Sequence, residues 1–491
     1  MCKYLAIIFM IAITTSTQAD YIFELASEYE VEDEPWEAIC LDDGFFNDDA
    51  YPDFAVTYYD QSGEDRYQYT FIGNGDCTFD VLLTEAFDYS LGSITVNDFD
   101  NDGYDDLLIG EGYTDGGGGI YHEPLIHMYA GNGDGTFTEL DTLHVMNVWI
   151  TSGDLNDDGN NDLVVSGFES GNSTVSIKLG NGDLTFQDTE SYEVLASFFH
   201  TVQILGDMNL DGNVDIGAIC FDGSIRFLYG NGDGTFQSPE VVDYLFGCGP
   251  SYCFLDSGDF NEDSMPDFVA TCGDIVADYD IVFLWDVDEY VRSDSLTGLG
   301  QWVKVEDFNL DGHLDIAISA YTGSIVFPGL GDGSFSHGAD SLLYLNTTYN
   351  TYGLISEDFD LDGDFDLIIS EHVHSLPADY IRCYRNTTIN LGIEVHESGS
   401  ISDLIFEVSP NPFSSLVTVS ASGFPTNPSN LQIFDLSGRL ITEIEPIFNG
   451  SEAVYKWDGR SETGSKLPDG IYSARLSSEN SNAGVTLLKL E

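Results

Sequence analysis

Basic residues are scarce in this sequence. Its 491 residues include 14 Lys and Arg against 86 Asp and Glu, which gives a formal net charge of −72 at pH 7. A surface this acidic repels phosphate backbones and anionic lipid headgroups, because both carry charge of the same sign. We therefore expect neither nucleic acid nor an anionic membrane to be a partner of this protein.

Long hydrophobic runs are also missing, apart from a short one near the N-terminus. Lys3, the apolar segment Tyr4–Ile13 and the small-residue segment Thr17–Ala19 are typical of a secretory signal peptide that is cleaved after Ala19. The apolar segment is too short to span a bilayer. The sequence thus predicts a signal peptide over 1–19, no membrane span, and a mature chain that is exported.

Familiar catalytic motifs are absent as well. The sequence contains no Gly-x-Ser-x-Gly, no His-Glu-x-x-His and no phosphate-binding loop. Its nine His residues show no spacing typical of metal ligands. Pairs of Asp are abundant, but nearly all of them belong to one repeated loop, so no glycosidase pair can be singled out. These absences favour a binding protein over an enzyme.

What the sequence does contain is an acidic loop that recurs seven times, beginning at positions 45, 98, 154, 207, 259, 307 and 358. The clearest copies read DFDNDGYDDL from Asp98 and DFDLDGDFDL from Asp358, whereas the copy FFNDDAYPDF from Phe45 is degenerate. The intervals between copies are 48 to 56 residues. Such a steady period indicates an array of one repeated structural unit.

The oxygen donors of six of these loops predict calcium sites. Carboxylate or amide oxygens recur at loop positions 1, 3, 5 and 9, and position 6 is Gly in five copies, which permits the positive φ of a sharp turn. Ca²⁺ accepts six to eight oxygens on a flexible loop, including a carbonyl at position 7, whereas Mg²⁺ needs stricter geometry. No Cys or His recurs at these positions, which argues against zinc. For about six Ca²⁺ ions, the predicted ligands are Asp98, Asp100, Asp102, Tyr104, Asp106, Asp154, Asn156, Asp158, Asn160, Asp162, Asp207, Asn209, Asp211, Asn213, Asp215, Asp259, Asn261, Asp263, Met265, Asp267, Asp307, Asn309, Asp311, His313, Asp315, Asp358, Asp360, Asp362, Asp364 and Asp366.

Two other interpretations of the loop are an EF-hand and a polar turn that binds no metal. An EF-hand opens in the same way but needs an acidic residue at position 12 and a helix on each side, whereas here position 12 is apolar and the flanks resemble strands. A metal-free polar turn is the other interpretation. It fits the first copy, where Phe45 replaces the first Asp and Ala50 replaces the Gly. Among the predicted sites, the one at Asp259 should be weakest, because Ser264 and Pro266 stiffen its loop.

A second motif follows most of the acidic loops. Apparent β runs end in turns such as GNGDGTF, at 131–137 and 230–236, and Asn-Gly or Asp-Gly between β runs is a strong hairpin signal. Each unit then consists of four short antiparallel strands, as in a propeller blade. The predicted fold is an all-β ring of seven four-stranded blades. The fifth unit departs from the pattern, since its second turn, Trp285–Glu289, contains no Gly.

The two ends of the array predict how the ring closes. The seventh unit has a third strand, Tyr380–Arg385, but no fourth strand after it. The mature N-terminus opens with Tyr21–Leu25, which has no blade before it. We expect this segment to supply the missing strand, because closure removes the exposed edge of the last sheet.

The C-terminal part has a different character. After a polar linker over 391–402, the segment 403–491 contains alternating runs such as Leu431–Leu436 and Ile471–Leu476. Alternation of this kind predicts strands, and the segment length suits a small Ig-like β-sandwich. The predicted organisation is therefore a signal peptide over 1–19, a propeller over 20–390, the linker, and the sandwich.

Both parts resemble known families. The repeats resemble the FG-GAP/VCBS family, the propeller type that also occurs in integrin α-subunits, over roughly residues 20–390. That resemblance implies ions held in hairpin loops at the blade edges. The C-terminal module, with SPNPF at 409–413, WDGR at 457–460 and LPDGIY at 467–472, resembles the type A sorting domain of the type IX secretion system. It implies the type IX machinery as a partner, export through the outer membrane, and often removal of the domain with attachment to the cell surface.

Two classes of function remain open on the sequence. The first is a secreted or cell-surface calcium-binding module for adhesion, whose ligand is an extracellular glycan or protein and whose aromatics Tyr58, Tyr59, Trp285 and Trp302 would stack on sugars. The alternative is a calcium-dependent polysaccharide lyase or hydrolase on the same scaffold. Fold alone does not decide between them. The absence of a recognisable catalytic set favours binding.

The mature chain holds seven Cys, an odd number for an exported protein. Cys248 and Cys253 are near enough in sequence to pair. The others that lie on β runs are expected to be buried as small hydrophobes: Cys40, Cys220, Cys272 and Cys383.

Overall fold

The computed structural model divides into two compact units, Met1–Thr388 and Ile389–Glu491. In the first unit it describes residues 23–31, 36–60, 66–87, 91–111, 124–145, 149–169, 172–195, 200–220, 222–245, 253–271, 279–286, 289–297, 300–320, 323–337, 343–344, 350–372 and 379–387. In the second unit it describes 405–409, 417–422, 431–435, 440–444, 446–449, 452–461, 466–467, 470–478 and 481–489. All regular structure in these ranges is β-strand, which confirms the predicted all-β class, and no helix there could cross a membrane.

The first unit is a ring of seven antiparallel blades whose strands follow chain order from the inside outwards. Blades 1 to 3 comprise β2 (Trp36–Gly44), β3 (Asp53–Asp60), β4 (Arg66–Gly73) and β5 (Phe79–Phe87); β6 (Leu91–Asn97), β7 (Asp106–Glu111), β8 (Leu125–Gly131), β9 (Phe137–Glu139) and β10 (Leu143–His144); and β11 (Ile150–Gly153), β12 (Asp162–Glu169), β13 (Asn172–Gly180) and β14 (Phe186–Leu195). In blade 2 the outer strand is split, since β9 and β10 both pair with β8.

Blades 4 to 6 repeat this arrangement. They comprise β15 (His200–Gly206), β16 (Asp215–Cys220), β17 (Ser224–Leu228) and β18 (Glu240–Tyr244); β19 (Leu255–Gly258), β20 (Asp267–Ala270), β21 (Tyr279–Asp286) and β22 (Glu289–Thr297); and β23 (Gly300–Glu306), β24 (Asp315–Ala320), β25 (Gly323–Phe327) and β26 (Leu343–Tyr344). Blade 5, whose second turn lacks Gly, is therefore complete, because β21 and β22 still form a hairpin.

The N-terminal strand β1 (Phe23–Val31) completes blade 7, which otherwise contains β27 (Asn350–Glu357), β28 (Asp366–His372) and β29 (Asp379–Asn386). It pairs antiparallel with β29, and Phe23 lies opposite Asn386. Ring closure by the N-terminal segment is thus confirmed, and the strand extends beyond the predicted Tyr21–Leu25, of which Tyr21 and Ile22 lie outside the described residues. The innermost strands contact one another in a closed cycle.

Two of the few basic residues in the propeller lie on β29 and face glutamates of β1. Glu28 lies opposite Arg382 and accepts from its guanidinium at 2.7 Å. Glu24 lies opposite Arg385 at 3.7 Å. Directly opposed charges of opposite sign stabilise a strand pair. The closing strand is therefore held by side chains as well as by its backbone ladder.

The core lies between adjacent blades and explains the aromatic residue of both motifs. The residue at loop position 2 is buried in every blade: Phe46, Phe99, Leu155, Met208, Phe260, Phe308 and Phe359. In blades 1, 2, 5 and 7 it packs on the Phe that follows the second turn of the next blade, as Phe99 does on Phe186 at 5.8 Å between ring centroids. At the closure, Phe23 of β1 packs on Phe308 at 6.2 Å. The N-terminal strand thus supplies the aromatic residue as well as the strand.

The second unit consists of two four-stranded antiparallel sheets. One contains β30 (Ile405–Ser409), β31 (Val417–Ser422), β35 (Glu452–Trp457) and β34 (Ile447–Asn449), and the other contains β33 (Leu440–Ile444), β32 (Leu431–Asp435), β36 (Gly470–Ser478) and β37 (Ser481–Lys489). Buried residues of both sheets form one core, including Val417 and Trp457 from the first and Ile433 and Tyr472 from the second. This is the predicted small sandwich.

Candidate functional site

Each acidic loop is organised by its own aspartates. In blade 2, Oδ1 of Asp98 accepts the Asp102 amide at 3.1 Å, and Oδ2 accepts the Gly103 amide at 3.0 Å. Asp100 also accepts the Asp102 amide, and Asp102 accepts the Tyr104 amide. The loops of blades 3 to 7 repeat both contacts of the first Asp. The first carboxylate therefore lies on the inside of each turn.

Two positions of each of the six complete loops adopt left-handed backbone conformations. Position 6 has φ between 85° and 99° where it is Gly, as at Gly159 and Gly363, which confirms the predicted need for Gly there. Position 4 has φ between 56° and 60° although no copy has Gly there, as at Asn101 and Leu310. In blade 5, Ser264 occupies position 6 with φ of 69°. That loop is strained at both positions, because a side chain disfavours positive φ.

The predicted ligands converge most closely in two of the loops. In blades 2 and 7, three carboxylates each place an oxygen within 4.8 Å of the other two: Asp98, Asp100 and Asp106, and Asp358, Asp360 and Asp362. The other four complete loops have Asn at position 3, so they mix amide and carboxylate oxygens: Asn156, Asn209, Asn261 and Asn309. Hard oxygen donors of this kind suit Ca²⁺ better than a transition metal.

Burial and neighbouring negative charges raise the pKa of several of these carboxyl groups. Burial, together with the neighbouring loop charges, raises the pKa of Asp106 to about 7. In blade 7, burial and the charge of Asp362 raise the pKa of Asp364 to about 9. Oδ1 of Asp360 and Oδ1 of Asp364 are buried without a hydrogen-bond partner. A divalent cation would neutralise this charge and give those oxygens a partner, so the residues present fit Ca²⁺.

The ninth residue of each loop ties the loop to the end of the third strand. Asp162 accepts the Leu155 amide through Oδ2 at 3.0 Å and the Gly180 amide through Oδ1 at 2.8 Å. The equivalent residues are all fully buried and all accept two amides: Asp53, Asp106, Asp215, Asp267, Asp315 and Asp366. Asp53 does so in the degenerate loop, which has no carboxylate at position 1. This clamp therefore forms without a carboxylate at position 1.

Neighbouring loops contact each other through positions 4 and 7, which sequence analysis missed. In three cases the position-7 side chain is hydrogen-bonded to the position-4 side chain of the preceding blade: Tyr104 with Asp48, Asn160 with Asn101, and His313 with Glu262. These side chains join blades, whereas the ligand predicted at position 7 is the backbone carbonyl. The partners are separated by about one repeat in the sequence, and this spacing is the signal from which the contacts could have been predicted.

Blades that lack the GNGDG turn use other groups for the same contacts. In blade 5 the Trp285 amide replaces the turn glycine as a donor to Asp267 at 2.8 Å. The Tyr290 hydroxyl donates to the Met208 carbonyl of blade 4 at 3.2 Å. In blade 7 the Asn386 amide donates to Asp366 at 2.7 Å. The irregular blades are therefore integrated into the same network.

A second candidate site lies on the axis of the ring, in a cavity of about 260 Å³. Side chains on a strand alternate, so the third and the fifth residue before each acidic loop face the same side. The third residues form a charged layer of the cavity wall: Asp42, Thr95, Thr151, Ile204, Asp256, Lys304 and Ile355. The fifth residues form an aromatic layer with three large rings: Cys40, Ser93, Trp149, Val202, Phe254 and Trp302.

Among the described residues that line this cavity, Lys304 is the one basic residue. Burial opposes its charge, but the carboxylates of Asp43, Asp256 and Asp42 outweigh burial and raise its pKa. Burial and the charge of Asp43 raise the pKa of Asp42 to about 7. Burial also raises the pKa of Glu306 to about 7, with the charge of Asp256 adding to it. Negative charge therefore exceeds positive charge around the cavity.

The charged layer also joins neighbouring blades. Asp42 accepts the Val96 amide of blade 2 at 2.8 Å, and Asp256 accepts the Val305 amide of blade 6 at 2.9 Å. In the aromatic layer, Phe254 and Trp302 are stacked with centroids 4.0 Å apart, and Trp149 meets Phe254 edge-on at 6.3 Å. The cavity wall thus has a charged layer and an aromatic layer, each with contacts between blades.

The aromatics proposed for sugar stacking have different positions. Tyr58 is fully buried in the core between blades 7 and 1, so its assignment to an exposed surface was wrong. The Tyr59 side chain lies outside the described residues. Trp285 is half-buried and packs edge-on against Tyr290 at 4.8 Å. Trp302 is half-buried and lines the axial cavity, where its Nε1 is buried without a hydrogen-bond partner.

Two family models match the chain. The FG-GAP-like repeat matches residues 207–270 and 307–369, which are the acidic loops and flanking strands of blades 4 to 7. The secretion system C-terminal sorting domain matches residues 407–488. The chain therefore contains FG-GAP-like repeats within its seven-bladed propeller and a C-terminal sorting domain. No curated protein matches it significantly.

Several solved structures resemble this propeller at low identity. A lectin of Agrocybe aegerita that recognises non-reducing terminal N-acetylglucosamine is 18% identical, with a TM-score of 0.43, over 64% of this chain and 81% of the lectin. PorZ, a surface component of the type IX secretion system of Porphyromonas gingivalis, is 12% identical, with a TM-score of 0.39, over 92% of this chain and 60% of PorZ. A rhamnogalacturonan lyase of Bacillus licheniformis is 11% identical, with a TM-score of 0.41, over 72% of each chain.

Proposed function

We propose that this FG-GAP-like propeller is a calcium-stabilised binding module that acts outside the cell on a glycan or protein ligand. The sorting domain indicates a secreted or surface protein. The observation that carries the calcium part is the repeated turn that gathers carboxylates around its first Asp, with buried oxygens of Asp360 and Asp364 left unpartnered. In this proposal, residues 1–19 direct export, 20–390 bind, and 403–491 engage the type IX machinery.

In this proposal, calcium holds the loops and the axial cavity holds the ligand. The cavity combines an aromatic wall at Trp149, Phe254 and Trp302 with carboxylates at Asp42 and Asp256. Aromatic faces pack on the apolar faces of sugar rings, and carboxylates accept their hydroxyl hydrogens. A saccharide unit is therefore the ligand that this wall suits best, and an amino sugar would also satisfy its excess of negative charge.

A glycan array with and without EDTA tests this proposal directly. Binding to one saccharide class should be retained in Ca²⁺, and a Trp302→Ala variant should weaken it at least tenfold, because the stacking face is lost. Trp285→Ala is the matched control, since Trp285 packs on an outer hairpin away from the cavity. Equal loss in both variants, or binding untouched by Trp302→Ala, would place the ligand elsewhere.

The charged layer also favours a second candidate, a polysaccharide-degrading activity. A carboxyl group whose pKa is raised to about 7, as at Asp42, can donate a proton near neutral pH, and Asp256 lies in the same wall. Mass spectrometry of glycans that bind on the array decides between the candidates. Products that disappear in Asp42→Asn would establish catalysis, whereas intact glycans would leave binding as the function.

A further inference from the structure

The seam between blade 1 and blade 7 contains two buried thiols. Cys77 lies in the second turn of blade 1, and Cys383 lies on β29 of blade 7. Both are free thiols, each is 1% exposed, and both belong to the core cluster that fills this seam. The predicted burial of Cys383 as a small hydrophobe on a β run is confirmed, and its proximity to Cys77 leaves no signal in the sequence.

The two thiols meet across the seam. The Cys77 thiol donates to Oδ2 of Asp366 at 3.1 Å, and Asp366 lies on β28, the neighbour of β29. The Cys383 thiol lies in the same buried cluster and is the other hydrogen-bonding neighbour of the Cys77 thiol. Cys383 lies opposite Ser27 of β1 and Ile368 of β28. Its strand is therefore fixed on both sides.

The closing strand also fixes the turn that carries Cys77. Ser27 Oγ donates to the Cys77 carbonyl at 2.6 Å, and the Tyr29 hydroxyl donates to the Phe79 carbonyl at 3.0 Å. The backbone on either side of Cys77 is thus held by side chains of β1. Both thiols reach their positions only when the ring is closed.

Among the described residues of the ring, paired thiols occur at one seam. In blades 2, 3, 4 and 6 the residue equivalent to Cys77 is Gly135, Leu184, Gly234 or Gly333. Cys383 lies three residues before Asn386, whose amide donates to the ninth loop residue of blade 7. The residues at the same position of blades 1 to 6 are Thr70, Met128, Ile177, Phe227, Val282 and Val326. The seam with two thiols is the one where the chain's first and last blades meet. It adjoins the strands β29 and β1, which pair within blade 7 although they come from opposite ends of the propeller sequence.

We propose that Cys77 and Cys383 form a disulfide bond in the exported protein and lock the closed ring covalently. The inference rests on the export part of the proposed function, because such bonds persist in oxidising compartments. Each thiol loses a proton, the pair gives up two electrons, and the new S–S bond forms while the disulfide of a thiol oxidoreductase is reduced to a dithiol. The bond encloses most of the propeller, so it should constrain the unfolded chain strongly.

Peptide mapping of the wild-type protein is the direct test. Mature full-length protein is oxidised with glutathione disulfide, unfolded in guanidinium with iodoacetamide, digested, and analysed by mass spectrometry before and after reduction. We expect one linked peptide pair that joins Cys77 to Cys383 and separates on reduction. Cys220, a buried thiol of blade 4, is the internal control and should be alkylated without reduction.

Alkylation of Cys77 and Cys383 without prior reduction would overturn the proposal. So would one equivalent of zinc that is lost in Cys77→Ser, since Cys77, Asp360 and Asp366 place ligand atoms within 4.8 Å of one another. Because the oxidant is added to the purified protein, the result of the peptide mapping does not depend on whether the protein is exported. A cytoplasmic location of the protein in its host would therefore overturn the proposed function, while the map alone decides on the bond.

A matched pair of variants tests the effect on stability. Cys77→Ser keeps a donor for Asp366 and loses the crosslink, so its melting temperature should fall by several degrees under oxidising conditions. With dithiothreitol present, wild type and Cys77→Ser should melt together. In Cys220→Ser, dithiothreitol should change the melting temperature by the same amount as in wild type. A deficit of Cys77→Ser that persists unchanged in dithiothreitol would assign the effect to packing and contradict the proposal.

Discussion

The Gly73 amide donates to Oδ1 of Asp53 at 2.7 Å, although the loop that contains Asp53 has no carboxylate at its first position. The clamp, in which the ninth loop residue accepts two amides, is therefore present in a loop that lacks the first predicted calcium ligand. We predict that Asp53→Ala lowers the free energy of unfolding by about 2–4 kcal/mol, because two buried amides lose a charged acceptor. The loss should be the same with Ca²⁺ or EGTA. Asp162→Ala, which removes a predicted ligand too, should cost more in Ca²⁺ than in EGTA. Denaturant melts in both buffers measure the difference.

Calcium removal should destabilise the propeller. With dissociation constants of roughly 10⁻⁴–10⁻³ M, 10 mM Ca²⁺ stabilises the native state by about 1.4 kcal/mol or more per site. We expect about six ions by titration calorimetry and a lower melting temperature in EGTA, with the site at Asp259 the weakest because Ser264 holds positive φ. Asp100→Ala should remove one ion, whereas the exposed control Asp80→Asn should remove none. A melting temperature indifferent to EGTA would refute calcium binding.

Loss of the closing strand should expose the edge of β29. Deleting Phe23–Val31 is expected to lower the melting temperature sharply and to cause aggregation, because an unpaired strand edge recruits other chains. A milder variant, Tyr29→Phe, removes the hydroxyl that contacts Phe79 and should cost about 1–2 kcal/mol. Size-exclusion chromatography and thermal melts measure both effects. A deletion variant that stays monomeric with an unchanged melt would show that β1 is dispensable.

Stability in EGTA should rise as the pH falls from about 8 to about 5. Burial raises the pKa of Asp42 to about 7 and that of Asp43 to about 6, above their ordinary values. The folded state therefore binds protons more tightly than the unfolded state, so protonation between those values and about 4 favours folding. Asp42→Asn should stabilise the protein at pH 8 by roughly 1–2 kcal/mol and flatten the pH profile. A profile that rises with pH over this range would contradict the assignment.

The C-terminal unit should be dispensable for ligand binding and necessary for export. A chain of residues 20–390 should fold, bind calcium and keep any affinity for its ligand. In a host with a working type IX machine, loss of 403–491 should leave the protein in the periplasm, and fusion of 403–491 to a periplasmic reporter should bring the reporter to the surface. Cell fractionation measures both. A reporter that stays in the periplasm would make the module an accessory β-sandwich instead.

The fold was accessible from the sequence because its signals repeat. The seven acidic loops predicted seven blades. The missing fourth strand after Tyr380–Arg385 predicted that the N-terminal segment completes the last blade. The glycine at position 6 was predictable for the same reason, since a positive φ leaves a compositional trace. The left-handed conformation at position 4 was not predictable, because Asn101 and Leu310 have nothing in common as residue types.

Side-chain orientation was the other limit. Tyr58 and Tyr59 are neighbours on β3, so one of them must face the core whichever way the strand lies. Strands in this ring are covered on both faces by adjacent blades, so alternation of polar and apolar residues does not identify an exposed side. The axial cavity was missed because its wall comes from seven strands far apart in sequence. The link between them is their common distance from the acidic loops.

The pairing of Phe23 with Asn386 gives this protein a mechanical property. If the sorting module anchors the chain, tension from a bound ligand enters the propeller at the end of β29. That strand lies between β28 and β1, so a pull along its axis shears two ladders of hydrogen bonds at once instead of unzipping a free edge. The Arg382–Glu28 pair resists the same displacement. A propeller tethered at this end should therefore keep all seven blades folded when a bound ligand is pulled.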